Sequence, residues 1–267
     1  MIRKLLPLGL ILGATSVIWA GSLAPRIGVV REPDGSIRPL LGLPANLIIG
    51  EPLSIEPALA AAFSDQAGLL LVNGRLELIS LDGTVISSYP TGDTTAILDI
   101  AGGPDTALAW LPSAGRLVHW DGHQFMDSAS DASRLGGSIR AVRLLDSAHA
   151  ELLVAHADTL ERIYISIADG LPVRSEPLPE AGESAFQTDS FLLFHDAFGL
   201  ALRGPDGVIH TLPIPETDLL FEKSGKHWLH ISSGSAGRQW MLHLDPRNPV
   251  LSELPGAPVA AAAEAAK

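Results

Sequence analysis

A two-residue turn signal returns along this chain about every 40 residues, and few folds accommodate such a beat. Asp-Gly pairs stand at Asp34-Gly35, Asp82-Gly83, Asp121-Gly122, Asp169-Gly170 and Asp206-Gly207, and "DPRNP" from Asp245 falls where a sixth turn is due. Each is flanked by short β-rich runs, as in "RLELISLDGTVISSYP" and "ERIYISIADGLPVRSEPL". Tight hairpins need positive φ, which glycine adopts without penalty and aspartate tolerates better than most residues. The repeated phrase is therefore a β-hairpin.

Upstream of five hairpins lies a second pair of apolar runs: "LAAAF" then "LLLVN", "AILDIAG" then "ALAWL", "IRAVRLL" then "ELLVAH", "SAFQT" then "FLLFH", and "DLLFE" then "HWLHIS". These complete a unit of four strands whose second strand is apolar almost without interruption, the mark of a strand covered on both faces. A small antiparallel sheet buried on both faces and repeated is a propeller blade stacked between two neighbours. Ala60, Ala61 and Ala62 suit an innermost strand, where blades converge and space is tight.

The reading is an all-β propeller of about six four-stranded antiparallel units over residues 26–255. Its first unit is short, because Arg26 to Leu41 supplies one hairpin and nothing after Pro255 completes it; a closed five-bladed ring is the alternative. Residues 256–267 form an alanine-rich tail that favours helix but is too short to hold one alone in water.

The unit "AAAFSDQAGLLLVNGRLELISLDGTVISSYP", Ala60 to Pro90, resembles a blade of the bacterial WD40-like or YVTN-type propeller superfamily. Phe63, Ser64 and Asp65, followed by Leu69 to Val72, carry most of the likeness. Other units share its pattern rather than its letters: Trp120-Asp121 is the only Trp-Asp pair ending a strand, and the Gly-His element of true WD40 units is absent. The resemblance implies the fold, and a fold by itself assigns no activity.

With 46% hydrophobic residues among 267, the chain has material for a large core. Its net charge of −12, with no basic stripe, argues against nucleic acid and anionic membrane surfaces as partners. The absence of cysteine excludes disulfides, thiolate metal sites and cysteine nucleophiles.

The opening "MIRKLLPLGLILGATSVIWAG" has two basic residues, an uncharged apolar run to Ala20 and then small residues, the layout of an export signal over residues 1–20. Ile18 fits the end of such a signal poorly, and a later end at Ala24 would be followed by Pro25. The uncharged stretch from Leu5 to Pro25 is about the 20 residues that span a bilayer, so an uncleaved anchor helix is the alternative. The expected location is periplasmic or extracellular, or the inner membrane if the segment is retained; no other membrane contact is expected.

None of the nine histidines falls in a His-Glu-x-x-His frame, and no nucleophile elbow, Walker loop or dinucleotide fingerprint is present. His119 and His123 flank a hairpin turn, where exposed histidines are the plainer reading than a metal pair. His227 and His230 stand an odd number of residues apart and point to opposite faces of a strand. "SSGSAG", Ser232 to Gly237, reads as the loop joining the middle strands of the last unit. No metal, cofactor or catalytic residue is expected.

Propellers bind through the rim bearing the loops between second and third strands and between successive blades. That rim carries Asp93, His156, Asp158, His195 and Asp196 as binding candidates, with Asn73 and Glu183 beside them. The inner strands offer only Asp99 and Asp218 to the central channel. The functional expectation is an exported, non-enzymatic binding or scaffolding module with a protein or polar small-molecule ligand at a rim. A propeller hydrolase or lyase with its site at the channel is the alternative, and a purely structural envelope component the third reading.

Overall fold

The computed structural model describes residues 24–255, apart from 44–45, 129–134, 158, 181–183, 189 and 197; the export segment and the alanine-rich tail lie outside them. Six antiparallel sheets follow one another along the chain. Unit 1 holds β1 (Arg26–Arg31), β2 (Ile37–Leu43) and β3 (Asn46–Ile49); unit 2 holds β4 (Ala60–Phe63), β5 (Ala67–Val72), β6 (Arg75–Ser80) and β7 (Val85–Pro90). Unit 3 holds β8 (Ile97–Ile100), β9 (Ala107–Leu111), β10 (Arg116–Trp120) and β11 (Phe125–Ser128). Unit 4 holds β12 (Ser138–Leu144), β13 (His149–Ala155), β14 (Leu160–Ser166) and β15 (Pro172–Leu178). Unit 5 holds β16 (Ala185–Gln187), β17 (Leu192–Asp196), β18 (Gly199–Arg203) and β19 (Ile209–Leu212), and unit 6 holds β20 (Leu219–Lys223), β21 (Trp228–Ser233), β22 (Arg238–His243) and β23 (Val250–Glu253).

The continuously apolar second strands are explained by where their alternate side chains go. In β5, Leu69 and Leu71 pack with Val118 and Trp120 of unit 3, whereas Leu70 and Val72 join Val29 and Ile37 of unit 1. In β21, Leu229 and Ile231 face unit 5, and Trp228 faces Val30 and Leu40 of unit 1. Each sheet is thus a wedge between two others, and the apolar layers between units close a ring through unit 1. Removing such a fully buried side chain as Leu70 costs about 2–5 kcal/mol, because both the burial and the tight fit are lost.

Five strands, β4, β8, β12, β16 and β20, line the central channel. Ala61 and Ala62 are buried there, Ala61 in the apolar layer toward unit 1 and Ala62 in the layer toward unit 3. Ser64, at the end of β4, turns the chain into β5: its hydroxyl accepts from the Gln66 and Ala67 amides.

Among the described residues, unit 1 has no inner strand. Its β1 takes the second place, with Val30 against Trp228 of β21 and Val29 against Ala61 and Phe63 of β4. The turn at Asp34-Gly35 therefore joins the second and third places of its sheet, while the other five turns join third and fourth strands. Hairpin spacing counts the turns but does not say which rung of a sheet each closes.

The ring closes without the missing strand because unit 6 reaches across. Phe63 and Ser224 form a parallel bridge between units 2 and 6. Ser224 Oγ donates to the Val29 carbonyl at 2.6 Å, and Gly28 lies so close that a Cβ there would stand 2.2 Å from the Ser224 oxygen. Asp65 Oδ1 accepts from the Lys226 amide at 2.9 Å, tying together the turns that follow β4 and β20.

Candidate functional site

Consecutive strands run antiparallel, so the starts of the inner strands share one end of the ring with the turns between second and third strands. At that end the channel opens in a cavity of about 220 Å³, walled by Ala60, Ile97, Ile139, Phe186, Leu220 and Phe221. Among the described residues, two charged ones enter this apolar wall, Arg140 from β12 and Glu222 from β20. Deeper along two of the same strands, Lys223 Nζ of β20 bonds Asp99 Oδ1 of β8 at 3.1 Å, and both side chains are buried. This ion pair spans the channel, since β4 stands between β20 and β8 in the ring.

Glu222 fills the place of the absent strand. Its Oε1 accepts from the Ala61 amide at 3.1 Å and from Arg31 Nε at 2.7 Å, serving β4 and β1 at once. Its Oε2 lies 3.5 Å from His230 Nδ1, and His230 Nε2 bonds Gln239 Oε1 at 2.8 Å. Glu222, Arg31 and Gln239 were not among the sequence candidates, and His230 was weighed there only beside His227; the sole local signal was a glutamate and a histidine inside otherwise apolar runs.

Beside the mouth, the seam between units 1 and 6 holds a second cavity of about 390 Å³, which Arg31, Glu32, Asp218, Ser233 and Gln239 help to line. Asp218 Oδ2 accepts from the Ser235 amide at 2.7 Å and Oδ1 from the Ser233 hydroxyl at 2.8 Å. Those donors, the amide foremost, favour the charged form and hold the Asp218 carboxyl down at about 2. A group fixed so far below neutrality does not serve as a general acid near pH 7. Ser232 to Gly237 runs from the end of β21 into the link to β22, where the sequence placed it.

The rim candidates stand at the end where connectivity puts them, but they do not converge. Asp93 is buried, at 3% exposure, rather than displayed. His156 Nε2 pairs with Glu161 Oε2 at 3.1 Å, and His195 Nε2 bonds the Glu216 carbonyl at 3.0 Å. Asp196 Oδ1 accepts from the Phe198 amide at 2.7 Å and so shapes the turn that leaves the Phe198 ring 86% exposed. Asn73 occupies the turn between β5 and β6 with φ of 45°. Asp158 and Glu183 lie outside the described residues.

Among the described residues, no group of three His, Asp or Glu side chains is placed to hold a metal ion. Half-burial lowers the pKa of His119, the charged imidazolium being poorly solvated there. His230 is buried in unit 6, whereas His227 is exposed just before β21.

Six stacked antiparallel sheets around one channel decide the architecture. The chain is a six-bladed β-propeller. No protein-family model matches the propeller's sequence, and no curated protein matches it. Among solved structures it is similar to BamB from Moraxella catarrhalis, at 10% identity over 88% of this chain and 92% of that one, with a TM-score of 0.46. A functionally unknown protein from Desulfotomaculum acetoxidans aligns at 10% identity over 86% of each chain, with a TM-score of 0.47. Hsv2 from Kluyveromyces lactis aligns at 9% identity over 83% of this propeller and 79% of its own length, with a TM-score of 0.38.

Proposed function

We propose that this propeller is an exported, non-enzymatic binding or scaffolding module that works through the end where its channel opens. The observation that carries the reading is the mouth itself: an open apolar cavity in and around which Glu222, Asp99 and Asp218 are already engaged. Glu222 is held by Arg31 and Ala61, Asp99 by Lys223, and Asp218 by Ser233 and Ser235. Such carboxylates order the site and leave it shape and apolar surface with which to recognise a partner. Phe198, exposed in a turn at the same end, supplies an aromatic anchor of the kind that dominates interface energetics.

The export component rests on the basic and apolar layout of residues 1–20. Cell fractionation of a C-terminally tagged full chain tests it, and retention in the cytoplasm would overturn it. The binding component is tested by crosslinking in intact cells. Wild type, Phe198→Ser, Leu220→Glu and the distant control Val173→Glu are compared, Val173 being exposed on β15. Partner adducts are expected to fall for the first two variants and persist for the control; equal adducts in all four would sink the reading.

A further inference from the structure

Among the described residues, Arg140 lacks the carboxylate partner that several arginines packed between and within the blades have. Arg31 meets Glu222, Arg143 and Arg162 meet Glu151, and Arg203 meets Glu180. Arg140 stands in the apolar mouth with its Nε buried and without a hydrogen-bond partner among the described residues. The carboxylate in the same cavity, Glu222, is occupied by Arg31 and Ala61, and the Ser184 hydroxyl donates to the Thr217 carbonyl. Arg140 is half-buried, so part of its guanidinium is shielded from water without an anion beside it, which carries a cost, and a chain with 30 acidic residues has no shortage of partners to offer it.

Resting on the reading of this end as a binding site, we infer that the mouth takes an apolar group bearing one carboxylate. The apolar body lies against Ile97, Ile139, Phe186 and Leu220, and the carboxylate lies on the Arg140 guanidinium. The planar fork of arginine donates two parallel hydrogen bonds to a carboxylate, which fixes orientation as well as adding energy. A volume of about 220 Å³ falls below the roughly 300–1,000 Å³ of drug-sized pockets, so the occupant is the size of one apolar amino-acid residue. Glu222 in the same wall and the net charge of −12 oppose a dianion, which favours a carboxylate over a phosphate monoester. Two sources offer this chemistry: a free small monocarboxylate, and the C-terminal residue of a peptide.

Calorimetric titration of the full chain tests the assignment with hexanoate, hexanol, phenyl phosphate, and a peptide ending in leucine as free acid or amide. Hexanoate, the peptide acid or both are expected to bind, and which of them binds identifies the source. Hexanol, the amide and the phosphate are expected to bind about 10- to 100-fold more weakly, the loss that follows from removing a charge-assisted hydrogen-bonded pair. Arg140→Met keeps the apolar stem; it should lose the same factor for the acids while its melting temperature stays level or rises, since an unpaired cation has been removed.

A fall in melting temperature of Arg140→Met would mark a structural arginine and overturn the proposal. So would undiminished acid binding by that variant, equal binding of hexanol or phosphate, or no acid binding at all. If the acids fail while Leu220→Glu still abolishes cellular crosslinks, this ligand assignment falls and the binding-module reading stands. If both fail, the reading of this end falls as well.

Discussion

Lys223 and Asp99, 124 residues apart in sequence, meet at 3.1 Å inside the channel, each almost wholly removed from solvent. The pair joins blades that are not neighbours in the ring, so it braces the channel across its width beneath the mouth. Lys223→Met should destabilise the protein by about 3–5 kcal/mol, because a buried carboxylate loses its cation. The double variant Lys223→Met/Asp99→Leu should recover most of that loss, since neither charge is then stranded. Urea denaturation of the two single variants and the double variant measures the coupling, and strictly additive effects would show that the pair does not act as a unit.

Glu222 stands in for a strand, and its replacements should grade accordingly. Glu222→Gln keeps an oxygen for the Ala61 amide but removes the charge facing Arg31, for a loss of about 1–3 kcal/mol. Glu222→Leu leaves both donors without an acceptor and should cost about 3–5 kcal/mol. Hydrogen exchange at Ala61 reads the effect locally: fast exchange in the leucine variant and slow exchange in the glutamine variant are expected. Equal protection in both would show that the side chain does not hold β4.

Gly28 sits where β1 slides past Ser224 in the gap left by the absent inner strand. Gly28→Ala would put a methyl group 2.2 Å from a backbone oxygen that has no freedom to rotate away, so β1 has to shift. A loss of about 1–3 kcal/mol follows, as for other overpacked sites. Gly102→Ala, at a position open around its Cα, serves as the control with no comparable loss. Thermal unfolding of the two variants decides between them.

Acid should loosen the turns first. Asp218 and Asp82 are both held at about 2, Asp218 chiefly by the Ser235 amide and Asp82 chiefly by the Ser80 hydroxyl. An unfolded aspartate titrates near 3.9, so the folded carboxylates bind protons less readily than the unfolded ones. Their stabilisation is complete above about pH 4 and is lost as pH falls through about 2. Asp218→Asn should flatten this decline in a series of urea midpoints between pH 5 and pH 2, and an unchanged slope would remove Asp218 as a contributor.

Much of this architecture was legible in the residues because it depends on local chemistry. Asp-Gly pairs set hairpins, small residues at Ala60 to Ala62 marked an inner strand, and uninterrupted apolar runs such as Leu69 to Val72 announced sheets covered on both faces. Each of those signals acts within a few residues of itself. The same logic put Asp93, His156, His195 and Asp196 at one end of the ring, since strand alternation fixes which turns share an end.

What those side chains do at that end depended on neighbours far away in sequence. His195 turns to the Glu216 carbonyl and Asp196 to the Phe198 amide, while Arg140 and Glu222, 82 positions apart by number, come to share one cavity. The missing inner strand of unit 1 was likewise invisible as a structural consequence: Glu222, Ser224 and Gly28 replace it only once units 6, 1 and 2 are brought together. Periodicity and turn chemistry are written residue by residue, so the chain alone determined its blades. Closure of the ring and the pairing of buried charges arise between segments that touch only after folding, and the tertiary structure alone decided them.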